Sequence, residues 1–496
     1  MKKIYLALGI AASMMFSSCS DFLDQEPSIE LPTESAITTT SDLRNAVNGI
    51  AYVLTESRMT YASEFALFAD TRCNDFKVTA DNGQLSELLL YKYNSKGTFN
   101  DIAYFAFYQA LGNVNSALKS IESGQVEGDA AEINDYKGQL LAWRGMLHFD
   151  LARMFCHIPT TVENPANELG LVLSDQVFDK DYKGTRTDLA STYTFIIKQF
   201  TDALPLFSKK PDKKPENGYF NYYAALGLRA RAYLYNGQYA EALADAKEVI
   251  GKGGYKMLNR DNYVEAWTKE KADETILEFL QTDKYNQQRY APGYYCDADG
   301  YSENAFNEEG YLYKYLKAQI DSVKDDAGKV KQVNYKDIRA GLVKNQSAVK
   351  TYKKAAGFYP NKYPGRNGNL YVNNTKLLRL SEMYLIAAEA QWHLDNPGSY
   401  DLAKTSTDAA QYINAIDKNR IADYTDKASV TLADILHEYE IEMFCENQIT
   451  FAYWRNRQSV TNQAKQEVKY NDYNTIMAIP QSEIDYNKAL QQNPEY

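Results

Sequence analysis

The sequence predicts a mostly helical chain, a scaffold of tetratricopeptide-like helical hairpins that carries irregular loops and short strands. Three observations point there. Apolar residues recur at helical spacing in nine stretches between residues 41 and 457. Residues 222–250 pair two such helices with the residue types of a tetratricopeptide hairpin, and the helical period fails across 252–375.

The amino terminus is set apart. Lys2 and Lys3 precede an apolar run from Ile4 to Phe16, with Ser17 and Ser18 before Cys19, so residues 1–18 read as a signal peptide. The run is too short for a bilayer-spanning helix, which takes about 20 residues. Small residues directly before Cys19 resemble a bacterial lipobox, with Phe16 where Leu or Val is usual. Cys19 therefore reads as the lipidated mature terminus, and that anchor as the only expected contact with a membrane. An ordinary secretory cleavage would instead leave Cys19 as a free thiol. Residues 19–40, polar and containing Pro27 and Pro32, read as a tether, and 41–496 as a single domain with a loop-rich insert at 252–375.

The helices follow in order. Leu43, Ala46, Val47, Ile50 and Leu54 form one apolar face behind an N-cap candidate at Ser41. Further helices are predicted over 102–122, 130–156, 188–207, 219–236, 239–250, 376–394, 401–418 and 431–457. In the 222–250 hairpin, Ala230 and Tyr233 belong to the first helix, Gly237 marks the turn, and Tyr239 and Ala242 belong to the second. Small residues let helices approach while aromatics fill the groove between neighbouring hairpins. Residues 380–413 repeat the pattern more weakly. The 252–375 stretch, rich in Gly, Asn, Asp, Lys and Tyr, is too long for one loop and predicts short strands with binding loops.

Composition narrows the function. With 45% hydrophobic residues the chain is neither disordered nor a multi-span membrane protein. Its net charge of −11 leaves no basic stripe for a phosphate backbone, so nucleic acid is not an expected partner. Cys73, Cys156, Cys296 and Cys445 form no CxxC pair, and no HExxH, GxSxG or phosphate-binding loop occurs. No catalytic residue, cofactor or metal is expected. Glu438 and Glu442, next to His437, are i,i+4 neighbours and read as a solvated or salt-bridged helix face. Gly251, Gly253 and Gly254 follow a helix and read as a C-cap. Asp297, Asp299 and Glu308 match three positions of a calcium loop, but Ser302 stands where that loop requires Gly, which makes an acidic turn the plainer reading.

Tyrosine is the unusual residue, at 41 against 20 Phe and 4 Trp. Between 285 and 315 the chain reads YNQQRYAPGYYCDADGYSENAFNEEGYLYKY, in which Tyr285, Tyr290, Tyr294, Tyr295 and Tyr301 are interleaved with Arg289, Asp297 and several amides. Saccharides need this mixture. The C–H faces of a sugar ring stack on aromatic rings, and its hydroxyls take amide, carboxylate and guanidinium partners. The alternative for each ring is a Tyr packed on the scaffold.

Several segments, in order, resemble the SusD/RagB family of outer-membrane nutrient-binding lipoproteins: CSDFLDQEP (19–27), YQALGNVNSAL (108–118), LLAWRGMLHFDLARMFCHIP (140–159), the 222–250 hairpin, LLRLSEMYLIAAEA (377–390) and IPQSEIDYNKALQQNPEY (479–496). Near 438–455 the chain departs from the family, with Tyr439, Asn447, Ile449 and Ala452 in place of its Arg, Gly, Arg and Asp, which bears on a packing network and not on the fold. The resemblance implies four tetratricopeptide-like units and no enzymatic activity. It also implies a cell-surface location as a lid over a SusC-like TonB-dependent transporter, to which captured oligosaccharide is delivered. Family members often build one pocket wall from the segment matching ADTRCNDFKVTADNG (69–83), which makes Arg72, Asn74 and Asp75 candidate polar contacts. Import of peptides or another non-sugar nutrient on the same fold is the alternative.

Overall fold

The computed structural model describes residues 37–79, 83–208, 218–324, 330–346 and 356–496, so the predicted signal peptide, Cys19 and the tether up to residue 36 lie outside the described residues. Helices α1 (Thr40–Glu56), α2 (Thr98–Glu122), α3 (Ala130–Phe155), α4 (Leu189–Ala203), α5 (Tyr222–Tyr235) and α6 (Tyr239–Lys252) each pack on the next. After α7 (Tyr311–Ala318), the array resumes with α8 (Leu380–Asp395), which packs directly on α6 and then on α9 (Thr407–Arg420) and α10 (Leu432–Met443). The stretch between α6 and α8 is thereby excluded from the helical array. It is free to build loops on the scaffold's surface, as the failing period predicted.

Local chemistry explains the helix ends. Helix α1 is capped by Thr39, not by Ser41: Thr39 Oγ1 accepts from the Asp42 N–H at 3.2 Å, and Asp42 Oδ2 accepts from the Thr39 N–H at 2.9 Å. The reciprocal box needs an acid three residues on, and Thr39 has it. In the α5–α6 hairpin Asn221 caps the first helix, Gly237 turns the chain at φ +74°, and Arg229 grips Asp245 with two bonds of 2.7 and 2.8 Å. Ala230 and Ala242 are fully buried, as close packing requires.

The helix predicted over 401–418 starts only at Thr407, those over 188–207 and 219–236 are trimmed at their ends, and two others are cut by structure of another kind. Residues 375–379 are extended, because β8 (Thr375–Arg379) pairs antiparallel with β2 (Thr275–Phe279) before the chain enters α8. The span 431–457 is two helices, α10 and α11 (Ile449–Arg455), broken where Cys445 and Asn447 take φ of +58° and +61°. The break is held from outside. Asp70 accepts the N–H groups of Glu446, Asn447, Gln448 and Ile449 at 2.8–3.2 Å, and Asn447 Oδ1 in turn accepts the Ala69 N–H at 2.9 Å. Asn447 is among the residues that tolerate this left-handed backbone. Asp70→Asn should lower stability by about 1–3 kcal/mol, read by chemical denaturation, because its amide N–H₂ would face backbone donors.

Below the loops lies a buried ionic cluster in which Arg339, Arg379, Arg420 and Lys362 meet Glu274, Glu438, Glu442 and Glu446. The Glu438–Glu442 face is therefore salt-bridged and buried, not solvated. Small antiparallel ladders order the insert and tie it to the amino-terminal part of the chain: β1 (Phe76–Lys77) with β3 (Ala305–Phe306), β4 (Ile320–Lys324) with β5 (Val330–Tyr335), and β6 (Val343–Gln346) with β7 (Gly357–Pro360).

Candidate ligand-binding site

The Tyr-rich loop folds around two glycines. At Gly293 a Cβ would lie 2.7 Å from the Tyr363 carbonyl oxygen and 2.9 Å from that of Leu370, so only Gly lets the one-turn helix Pro292–Tyr295 sit against the 363–373 loop. At Gly300 a Cβ would lie 1.9 Å from the Tyr294 carbonyl oxygen, so only Gly lets the chain double back and donate the Tyr301 N–H to that oxygen at 2.8 Å.

The doubling back gathers rings. Tyr301 lies edge-on to Tyr294 with centroids 5.0 Å apart, and 6.2 Å from Tyr290; Tyr294 meets Tyr371 at 5.6 Å. All four are half-buried. Arg58 covers one face of Tyr290 at 3.6 Å. Tyr285, 43% exposed, stands edge-on to Tyr52, 51% exposed, at 5.9 Å. Burial pushes the Tyr301 phenol up to about 12, and burial with the nearby Tyr371 hydroxyl also raises Tyr294, against the lowering effect of Arg289. Both remain neutral phenols near neutral pH, able to donate and to accept.

Beside the rings opens a polar cleft of about 460 Å³, lined by Glu270, Thr282, Asp283, Arg366, Asn367 and Val372. Its walls are tied together. Asn369 Nδ2 donates to Asp283 Oδ1 at 2.9 Å, and Arg366 bridges Glu270, the Gln281 carbonyl and Asn374. Asp283 shares a turn with Tyr285, whose N–H donates to Thr282 Oγ1 at 3.0 Å, and Val372 follows Tyr371 in the chain. One loop, 365–372, thus carries both lining residues of the cleft and Tyr371 of the ring arc, and it packs on the Pro292–Tyr295 turn at Gly293. A carboxylate pair, amides and a guanidinium next to half-exposed rings can hold a polyhydroxylated ligand, and within this set nothing is arranged as a nucleophile with its base.

The residues singled out from sequence divide sharply. Tyr285, Arg289, Tyr290, Tyr294 and Tyr301 lie on this surface. Tyr295 is fully buried and donates to Glu64 at 2.7 Å, so it is a pillar beneath the arc. Asp297 is buried against Lys344 at 2.5 Å and takes Gln346 and the Asp299 N–H as well, while Glu308 pairs with Lys77. Arg72 is fully buried among Trp454, Phe68, Tyr91 and Tyr93, with Nη2 donating to the Thr475 carbonyl at 2.6 Å. Asn74 is tied to Asn307 at 2.7 and 2.9 Å, and Asp75 accepts the Leu312 N–H at 3.0 Å at the start of α7. Tyr295, Asp297, Arg72, Asn74 and Asp75 brace the wall and offer it little or no ligand surface. Sequence reasoning missed Tyr52, Tyr371 and the 365–372 loop, although NGNLYVNN at 367–374 repeats the same Tyr–amide mixture.

Comparison with known proteins agrees with this architecture. A family described as starch-binding and associating with the outer membrane matches residues 21–234, and the SusD family matches residues 175–496. SusD-like protein P2 of Formosa agariphila is 22% identical over 442 residues, covering 84% of this chain and 81% of the relative. A SusD superfamily structure from Bacteroides thetaiotaomicron VPI-5482 superposes with a TM-score of 0.80 at 26% identity, covering 92% of this chain and all of that one. A second, from Bacteroides vulgatus ATCC 8482, gives 0.79 at 25% identity over 93% of this chain and all of that one. No helix among the described residues is long and apolar enough to cross a membrane. With a family match over well more than half its length and the helical array those structures share, the chain belongs to the SusD family.

Proposed function

We propose that this chain is a surface lipoprotein of the outer membrane that captures an oligosaccharide and passes it to a SusC-like TonB-dependent transporter, without chemistry of its own. One observation carries the reading. A half-exposed arc of Tyr290, Tyr294, Tyr301 and Tyr371 adjoins a cleft whose side chains are carboxylate, amide, hydroxyl and guanidinium, the pairing that sugar faces and sugar hydroxyls require. The family description as starch-binding and outer-membrane-associated supports it. Lipidation at Cys19 and the transporter partnership are parts of the proposal that rest on the leader sequence and on the family resemblance.

The test is a glycan array followed by calorimetry with the glycan that binds. Tyr294→Ala should weaken affinity by roughly two- to tenfold, and Tyr294→Ala with Tyr371→Ala should approach loss, since each aromatic contact contributes about 0.5–1.5 kcal/mol beyond area burial. The melting temperature should hold, because both rings are half-exposed in the loop-rich insert, outside the helical array. Binding to peptides with no glycan retained on the array would overturn the reading.

A further inference from the structure

A second aromatic groove lies on elements that contribute nothing to the cleft above. Its volume is about 350 Å³, and its lining includes Phe105 and Gln109 from α2, Tyr182 from the loop before α4, and Glu483 and Tyr486 from the one-turn helix Gln481–Tyr486. Three of its rings are strongly exposed: Phe105 at 62%, Tyr486 at 54% and Tyr182 at 45%. Exposed rings gathered into one concavity are costly to hydrate and mark a place where something binds.

The groove is prebuilt. Tyr182 is backed by Phe178, parallel to it with centroids 3.9 Å apart, which leaves the other face open. Tyr486 is fixed through its hydroxyl to the Lys180 carbonyl and through its own carbonyl to Lys183 Nζ at 2.9 Å, with that ammonium over its ring. Asn487 Nδ2 donates to the Gly184 carbonyl at 2.6 Å, Ser482 to Asp101 at 2.8 Å, and the Tyr108 hydroxyl to the Val172 carbonyl at 2.8 Å. All three walls are therefore cross-braced, and a ligand would bind without paying to order them.

The unused polar groups name the ligand class. Among the described residues, the side chains of Gln109 and Glu483 have no hydrogen-bond partner, although both line the groove. The side chains of Tyr108, Lys183, Ser482, Tyr486 and Asn487 are committed to the frame. Gln109 lies one helical turn beyond Phe105, so an amide stands beside an open ring. Burial and the neighbouring Asp101 raise the Glu483 carboxyl. A ring face, an amide and an acid without partners suit vicinal hydroxyls on a sugar, and the Glu483 carboxylate in the lining disfavours a negative group beside it.

We infer that this groove is a second binding site for an uncharged saccharide, separate from the Tyr290–Tyr301 arc. It holds whether or not the arc itself takes sugar, and two sets of variants tell the cases apart. Titrate the full-length protein with maltoheptaose, laminariheptaose, xylohexaose and mannohexaose, together with Phe105→Ala/Tyr182→Ala, Gln109→Ala and Tyr294→Ala/Tyr371→Ala. The expected result is that at least one probe still binds the Tyr294/Tyr371 variant. Its affinity should fall roughly ten- to a hundredfold in the Phe105/Tyr182 variant and a few-fold in Gln109→Ala, with melting temperatures unchanged. Binding by none of the four probes to the Tyr294/Tyr371 variant would overturn the inference. So would binding to that variant that is indifferent to both sets of groove changes. If instead the arc variant leaves every affinity intact while the groove variant abolishes it, the arc reading fails and the groove stands.

Discussion

Arg379→Ala should cost about 3–5 kcal/mol of folding stability, measured by chemical denaturation near neutral pH. The side chain is 1% exposed and serves three carboxylates at once. Nη1 donates to Glu274 at 2.7 Å and to Glu442 at 3.0 Å, while Nε and Nη2 grip Glu446 at 2.7 and 2.8 Å. Removing the cation leaves those acids, each nearly or fully buried, to share Arg420, Arg339 and Lys362. The penalty is chiefly that of charges stranded away from water, not the loss of favourable contacts. Arg379→Lys restores the charge without the planar fork and should recover only part. The pH dependence tests the cause. Burial by itself would push Glu442 up, but Arg420, Arg379 and Arg339 outweigh it and hold the carboxyl well below the usual carboxylate range. A group depressed in this way contributes stability above its ordinary pKa and loses it as pH falls through the folded value. The gap between wild type and Arg379→Ala should therefore be full near neutrality and narrow in strong acid. A gap that stays constant across that range would assign the loss to packing.

That cluster also marks what the sequence could and could not show. The helices were legible because Leu43, Val47, Ile50 and Leu54 repeat a period that one buried face imposes, and the 222–250 hairpin because Ala230 and Ala242 meet the packing demand of neighbouring helices. The break at Cys445–Asn447 was not legible. The carboxylate that caps it belongs to Asp70, 376 residues earlier, so local propensity had nothing to register. The same limit governed the site. Tyr294 and Tyr295 are neighbours of identical chemistry; one faces the arc and the other donates to Glu64 in the interior. Which is which depends on where Glu64 folds. Asp297 and Arg72 were reasonable contacts by residue type, yet Lys344 claims the first and a box of four rings encloses the second. Residue type names a chemistry, and long-range pairing decides whether it is spent inside the protein or offered to a ligand.

Gly300→Ala should remove ligand binding at the Tyr290–Tyr301 arc while leaving the helical array folded. The added methyl would lie 1.9 Å from the Tyr294 carbonyl oxygen and 2.8 Å from its carbonyl carbon, and both are backbone atoms with no rotamer to escape into. The turn is closed on every side: Gly300 N–H donates to the Asp297 carbonyl at 3.0 Å, Tyr301 N–H to the Tyr294 carbonyl at 2.8 Å, and Ser302 Oγ to the Asp297 carbonyl at 3.0 Å. The methyl must therefore pry residues 294 and 301 apart, which separates Tyr301 from Tyr294 and Tyr290 together. Losing two or more ring contacts at about 0.5–1.5 kcal/mol each weakens affinity by roughly ten- to a hundredfold, more than any single ring deletion. Stability should change little, because the turn lies in the loop insert and outside the α6–α8 contact that closes the scaffold. Gly49→Ala supplies the control. It sits in α1 with open space around its Cβ position, so it should leave affinity unchanged and raise helix stability by up to about 1 kcal/mol. Calorimetry with the array-selected glycan and a thermal melt on the two variants decide the matter. Full affinity in Gly300→Ala would mean that the ligand does not touch the Tyr294–Tyr301 edge, and would move the site onto the Glu270–Arg366 cleft alone.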